Sequence, residues 1–459
     1  MRSVTLKEAG SNLNIFHSEI TFENPKKESS YYYTIAKDFE WSFVAIHATT
    51  GLDGDKDFYH LKVEQVSRLP ADFKLAKNVT SQLDKLLIFK IDLPLDKKSD
   101  LDQLTVYEYH KGRREPYPKT IKVYEKQTVE LYESKYYLSL YPTQESNFVL
   151  RIKSEDVKHY SQAPDKIEND VVIYGPFLDL PPVSFFEIHV FFVFPYPLPY
   201  FKEASRSIYV SHWGSIAIDE YFHIFNEAAG INGQFSRVDY MPHYNPNQGQ
   251  NAIANLATEL PQYIRGLYYY DYIGNISSSR AFRHSDKVSF EIEPRFPIFG
   301  NWKTDWNQGY NMPTEFHLFQ DLKDSKEHTL EVDFMHAYDS SLNEEYKVNV
   351  ILPEGASDIR LELPSSCGIN SEDITMTKYY GTLDYFGRPM VTIYKQNAVH
   401  DLCDNVLTVR YQYDNQVNLY MKAICLTTLL FTLYAAAMAY VRMGLSLETK
   451  DTKPKQKTI

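Results

Sequence analysis

Val406-Leu-Thr-Val-Arg-Tyr-Gln-Tyr413 sets Leu407, Val409, Tyr411 and Tyr413 on one face and Thr408, Arg410 and Gln412 on the other. A period of two, rich in β-branched and aromatic residues, is the pattern of a strand that buries one side and wets the other. The same alternation recurs upstream at residues 58–66, 87–92, 120–124 and 288–293, with turn residues between the runs. Half-buried strands at this spacing predict a mainly β fold of antiparallel, sandwich-like domains. Helical signals are few, and residues 251–260 (NAIANLATEL) are expected to form one short helix.

Ten residues past the quoted strand the chain changes character. Residues 423–441 read AICLTTLLFTLYAAAMAYV, without a charge, between Lys422 and Arg442. As a helix this run is about 28 Å long, enough to cross the hydrocarbon of a bilayer. Residues 442–459 follow, with Arg442, Lys450, Lys453, Lys455 and Lys457 against Glu448 and Asp451. The bias of basic flanks toward the cytosol puts these residues on the cytosolic side and everything before the helix in the lumen. Lys455 and Lys457 resemble a dilysine signal that retrieves membrane proteins to the endoplasmic reticulum, and a generic basic flank is the plainer alternative. Within the helix, Thr427, Thr428, Thr432 and the alanines at 435–437 and 439 offer small residues. Ala435 and Ala439 are expected to pack against a neighbouring helix.

A length of 459 residues predicts two β domains ahead of the helix. Phe194-Pro-Tyr-Pro-Leu-Pro-Tyr200 places their boundary, because alternating prolines supply no ladder donors, so the expected domains are 1–197 and 198–418. The apolar run 185–194 just before it is too short to span a membrane and carries Glu187 and His189, so it reads as a buried strand. The net charge of −12 argues against a nucleic-acid partner. Residues 1–8 hold no apolar stretch. Either an export signal lies outside this chain or the bulk is cytosolic on a tail anchor; the basic flank favours the first.

Of three cysteines, Cys425 lies inside the apolar run, which leaves Cys367 and Cys403 for a disulfide that an oxidising lumen permits. Spacing alone leaves that bridge open. Asn78-Val-Thr80 and Asn275-Ile-Ser277 are acceptor triplets for N-glycosylation on a lumenal surface.

Patterns that carry catalysis are hard to find. The chain has no GxSxG, HExxH, phosphate loop or CxxC pair, and no cofactor signature. Asp53-Gly-Asp55-Lys-Asp57 with Glu64 imitates a calcium loop, but Phe58 stands where the sharp turn needs glycine, so a solvated acidic loop is the reading. Ser211-His212-Trp213 does not make a nucleophile and its base, since neighbours in a strand point to opposite faces. His212 or Trp213 is expected to pack near the start of the second domain. Tyr268 to Tyr272 could stack on a sugar, though tyrosine is also an ordinary strand residue.

From Val172 onward the chain resembles the ribophorin I family, non-catalytic subunits of the oligosaccharyltransferase complex. The residues that carry this are Tyr174-Gly-Pro-Phe-Leu-Asp-Leu-Pro181, Val210-Ser-His-Trp-Gly214, Phe235-Ser-Arg237 and Tyr269-Tyr-Asp-Tyr-Ile-Gly-Asn-Ile-Ser277. It continues in Pro294-Arg-Phe-Pro-Ile-Phe-Gly300, Trp302, Gly309-Tyr310, Ile351-Leu-Pro-Glu-Gly-Ala356 and Asp384-Tyr-Phe-Gly-Arg-Pro389, with a thinner match at Pro116-Tyr-Pro118 and Tyr136-Tyr-Leu-Ser-Leu-Tyr-Pro-Thr143. The resemblance implies two tandem lumenal β domains and one membrane helix in the endoplasmic reticulum. It also implies catalytic and small membrane subunits of that complex as partners, nascent polypeptide as a further one, and an active site in another subunit. Asn275 falls where the family carries an acceptor. The 18 residues after Val441 match the short-tailed fungal form rather than the long animal tail. The other reading kept open is a free-standing lumenal binding protein or cargo receptor.

Overall fold

The computed structural model describes residues 2–443 except 7–10, 24–27, 51–58, 71–72, 74–81, 94–100, 241–250, 364–366, 404–405 and the single positions 124, 169, 237, 239, 277, 323, 383 and 385. Strands dominate. In Val406–Gln412 the residues Leu407, Val409 and Tyr411 are buried while Val406, Arg410 and Gln412 face water. Ser215–Asn226 buries every second residue along its length, and Lys287–Ile292 buries Val288, Phe290 and Ile292. One-sided burial is what turns a two-residue period into a sheet face.

Strands before residue 197 form an eight-stranded sheet with central neighbours Thr143–Leu150, Arg2–Leu6, Leu13–Glu23 and Leu101–Lys111, beside sheets of three and four strands. Strands after it form a second eight-stranded sheet, whose centre is Lys303–Pro313, Ser215–Asn226, Pro199–Ser211 and Leu342–Ile351, again with a three- and a four-stranded sheet. Among the described strands, pairing is antiparallel except between Arg2–Leu6 and Thr143–Leu150, between Pro199–Ser211 and Leu342–Ile351, and in the short pair Thr120–Ile121 with Gly230–Ile231. That last pair joins strands from the two sides of residue 197. The same junction is fixed by Asn226, whose side chain accepts from Leu198 N at 2.9 Å and donates to Ile298 O at 3.0 Å. Gln127 adds bonds to Phe194 O at 3.0 Å and from Ala229 N at 2.6 Å.

Several expected elements differ in detail. Residues 251–260 are not a helix: Ile253 bridges to Ile298, and Leu256–Pro261 is a strand paired with Lys287–Ile292. Thr258 and Leu260 are buried on alternate positions, so the sheet takes residues whose helical spacing has no core to face. Among the described residues of the run at 120–124, Thr120–Ile121 is the part that forms a strand. Residues 59–66 divide into Tyr59–Leu61 and Val63–Val66, which belong to different sheets. The run at 185–194 is the strand Glu187–Val193, with Ile188, Val190 and Phe192 buried.

Gly309 shows why one position requires glycine. It lies opposite Tyr268 in the large sheet, and a Cβ there collides with the Tyr268 ring and Ile218 O. The tyrosine lies flat over the ladder because nothing projects beneath it.

Candidate functional site

The strand Val406–Gln412 leads within three residues into the helix Asn415–Arg442. Ala423–Arg442 is long and apolar enough to cross a membrane, and among the described residues nothing buries it. Thr427, Thr428 and Thr432 return their hydroxyls to carbonyls one turn earlier, at 2.7–3.0 Å, so the helix satisfies its own polar side chains. Ala435 and Ala439 lie on this helix and are exposed among the described residues.

The loop at residues 212–214 sits beside the helix entrance. His212 hydrogen-bonds Tyr411 Oη through Nε2 at 2.8 Å, and its ring lies 4.4 Å from Tyr413 and 4.6 Å from His328. Ser211 Oγ instead accepts from Trp213 N at 3.3 Å. Ser211 and His212 therefore serve different neighbours. Trp213 is 68% exposed and its ring meets that of Tyr420 at 6.4 Å.

Tyr268 to Tyr272 build an edge hairpin. Tyr268 donates to Asp219 and stacks on Tyr270 at 5.9 Å, whereas Tyr272 at the tip is 87% exposed. Asp271 beneath the tip accepts from Ile273 N at 2.9 Å, Gly274 N at 3.0 Å and Arg295 Nη2 at 3.0 Å. Those bonds, that of Arg295 first, hold its carboxyl below the usual carboxylate range. Asn275 faces Tyr270 across this hairpin and is exposed. Cys367 and Cys403, both buried, are joined as a disulfide with Cα atoms 4.6 Å apart. Asn78, Lys455, Lys457 and the acidic triplet 53–57 lie outside the described residues.

Sequence reasoning missed the buried charges. Arg206 and Glu220 oppose each other in register and form an ion pair inside the second large sheet's core. Gln308 Nε2 donates to Glu220 at 2.8 Å, while Tyr338 Oη and Trp306 Nε1 donate to Gln308 Oε1 at 2.7 and 3.1 Å. Burial works against the charge on Arg206, but Tyr310 and Glu220 more than restore it and its net shift is upward. Arg114 donates to Ser11 O at 3.1 Å and Leu13 O at 3.2 Å, and burial lowers it to about 9. The missed signal is a charge in the inward phase of an alternating strand, as in Ala204, Arg206, Ile208. These networks are sealed from solvent, so a substrate in solution does not reach them. Among the described residues, no three His, Cys, Asp or Glu side chains cluster closely enough to hold a metal.

Residues 6–441 match the sequence profile of the family described as Ribophorin I. The chain is similar to dolichyl-diphosphooligosaccharide–protein glycosyltransferase subunit 1A of Arabidopsis thaliana, 31% identical over 79% of this chain and 58% of the relative. It is also similar to subunit 1 of the same glycosyltransferase in Caenorhabditis elegans, 30% identical over 74% of this chain and 57% of the relative. The chain thus spans somewhat more than half the length of these relatives. An M1 zinc metallopeptidase structure from Deinococcus radiodurans overlaps 46% of this chain and 42% of its own at a TM-score of 0.26 and 10% identity, too weak to bear on fold or activity.

Proposed function

Because this chain belongs to the ribophorin I family, we propose that it is a non-catalytic structural subunit of oligosaccharyltransferase, supporting transfer of lipid-linked oligosaccharide to asparagine in the endoplasmic reticulum. The observation that carries this is the extent of the family match, 6–441, which takes in the β-rich bulk and the apolar helix together. Residues 1–197 and 198–418 are its two lumenal domains, and residues 423–441 are its anchor. Its role is to hold other subunits or nascent polypeptide in position. The chemistry belongs to a partner.

The helix supports a role in assembly, since its apolar span is left uncovered by the described residues. Ala435 and Ala439 let a partner helix approach closely, so replacing both with Leu weakens co-purification of the other membrane subunits. Asn275, exposed on a pinned hairpin, and Asn78 are acceptors for glycan in the lumen. Each Asn→Gln change removes one glycan's mass from the mature protein.

The direct test is purification of the full chain from membranes in mild detergent. The expected result is stoichiometric recovery of a multi-spanning glycosyltransferase, with oligosaccharide transfer by the assembly and none by this chain alone. A monodisperse lone protein, or turnover by the purified chain, contradicts the proposal.

A further inference from the structure

The end of the β structure from which the helix departs carries exposed apolar side chains on four separate turns. In the large sheet, Ser211 pairs with Ser215, so Trp213 caps that hairpin; Ser215 pairs with Pro313, and Thr314 N reaches Gly214 O at 3.4 Å. This brings the exposed Phe316 beside Trp213's hairpin. Tyr209 pairs with Ile351, Ile351 with Met390, and Arg388 with Tyr379, so the turn bearing exposed Tyr380 and Phe386 opens at the same end. In the four-stranded sheet Gln412 pairs with Glu327 and His328 with Gln320, so Phe319 and Leu322 also lie there. Leu322 is fully exposed, which a soluble turn has no reason to prefer.

Height along the helix fixes what these side chains meet. Trp213 contacts Tyr420, three residues before Ala423, the first residue of the apolar span. Three residues are about 4.5 Å of helical rise. The headgroup layer on each side of the hydrocarbon is itself roughly 5–8 Å deep, so Trp213 lies inside it whenever the helix spans. Tryptophan and tyrosine favour that layer because their rings are apolar with a polar edge.

We propose that this rim, Trp213, Phe316, Phe319, Leu322, Tyr380 and Phe386, inserts into the headgroup region of the leaflet that the helix enters, so that the β bulk rests on the lipid surface. A lone helix leaves the bulk free to swing; a ring of interfacial anchors around its base fixes the tilt. The inference rests on the membrane reading above, but its test needs no partner subunit, so the two fail separately.

The experiment uses the full chain with Cys425→Ser, reconstituted in phosphatidylcholine nanodiscs, with a nitroxide on Leu322→Cys and, separately, on Tyr272→Cys. Tyr272 belongs to the same sheet, but its neighbour Tyr270 pairs with Asn307, six residues and about 20 Å along the strand from Pro313. The Leu322 label is expected to collide several-fold less with an aqueous nickel chelate than the Tyr272 label, and more with oxygen dissolved in the bilayer. Equal access of both labels to the nickel chelate overturns the proposal. Shielding of the Leu322 label only when the complex is assembled, and from oxygen as well, assigns the rim to a protein partner and also overturns it. As a second readout that needs no exposed cysteine, phospholipids brominated near the headgroup quench wild-type fluorescence more than that of Trp213→Phe. Equal quenching counts against insertion.

Discussion

The two β-rich regions hold themselves together in different ways. After residue 197 most buried apolar residues join one continuous cluster that runs from Tyr200 to Tyr413 through both large and small sheets and takes in Leu13 and Tyr109 from the earlier region, with a small separate cluster at Tyr240, Ala252 and Phe299. Before it the core is divided between two larger clusters, one around Phe16, Phe148 and Phe192 and another around Tyr33, Phe89 and Leu104, with a small third at Tyr32, Ile88 and Leu140. Arg113 links the two: its guanidinium lies 3.6 Å from the Phe39 ring of one and 5.5 Å from the Phe16 ring of the other, and pairs with Glu133 at 2.7 Å. The earlier region therefore depends on a buried cation at its seam, whereas the later one encloses its Arg206–Glu220 pair within its large continuous cluster. Divided cores open in parts; continuous cores open together.

The hardest blow to that contrast is Arg113→Ala. It leaves Glu133 buried without this partner and removes the ring contacts, a loss of about 5 kcal/mol. Calorimetry is expected to split into two transitions, the earlier region melting first; one unsplit transition breaks the comparison. Replacing Cys367 and Cys403 with Ala opens a loop of 36 residues and costs about 4 kcal/mol in the chain-entropy account. Hydrogen exchange is expected to rise across the later region as a unit and to leave the earlier one unchanged.

Acid offers a gentler probe of the continuous core. Burial holds His336 down to about 3, with its Nε2 bonded to Asn343 Oδ1 at 2.9 Å. Between pH 6.5 and about 3 the unfolded chain therefore binds a proton that the folded chain refuses, and stability falls by about 1.4 kcal/mol per pH unit. His336→Gln is expected to flatten that slope in urea titrations at pH 7 and pH 5. An unchanged slope removes His336 from the account. The smallest expected effect is at the edge hairpin. Arg295→Ala removes a partly exposed ion pair, costs less than any change above, and speeds amide exchange of Ile273 and Gly274 without touching either core. Because Asp271 is held below its ordinary value, that support is present at neutral pH and fades as pH falls through the folded value.

What was legible in the sequence was local. Leu407, Val409 and Tyr411 announce a one-sided strand because each burial decision is two residues from the next. The terminal helix is legible because an uncharged run is its own evidence, although the helix begins at Asn415, eight residues before that run. Residues 251–260 misled because Ile253, Leu256 and Leu260 have helical spacing, and only pairing with Lys287–Ile292 decides otherwise. Pro261 was the available warning, since the residue before a proline avoids the helical region. The placement of His212 against Tyr411 and of Trp213 against Tyr420 joins residues about two hundred positions apart, and no local pattern encodes that. Arg113 was invisible for a related reason: its value comes from two clusters that the chain brings together only on folding.

The side of the membrane on which the β regions lie decides the proposed role. Sealed microsomes carrying the full chain, with an epitope tag after Ile459, should be treated with protease and probed for both parts. Loss of the tag with the β regions intact as one protected fragment is the predicted result. Digestion of the β regions with the tag retained contradicts it, and with it the proposed role in glycosylating lumenal asparagines.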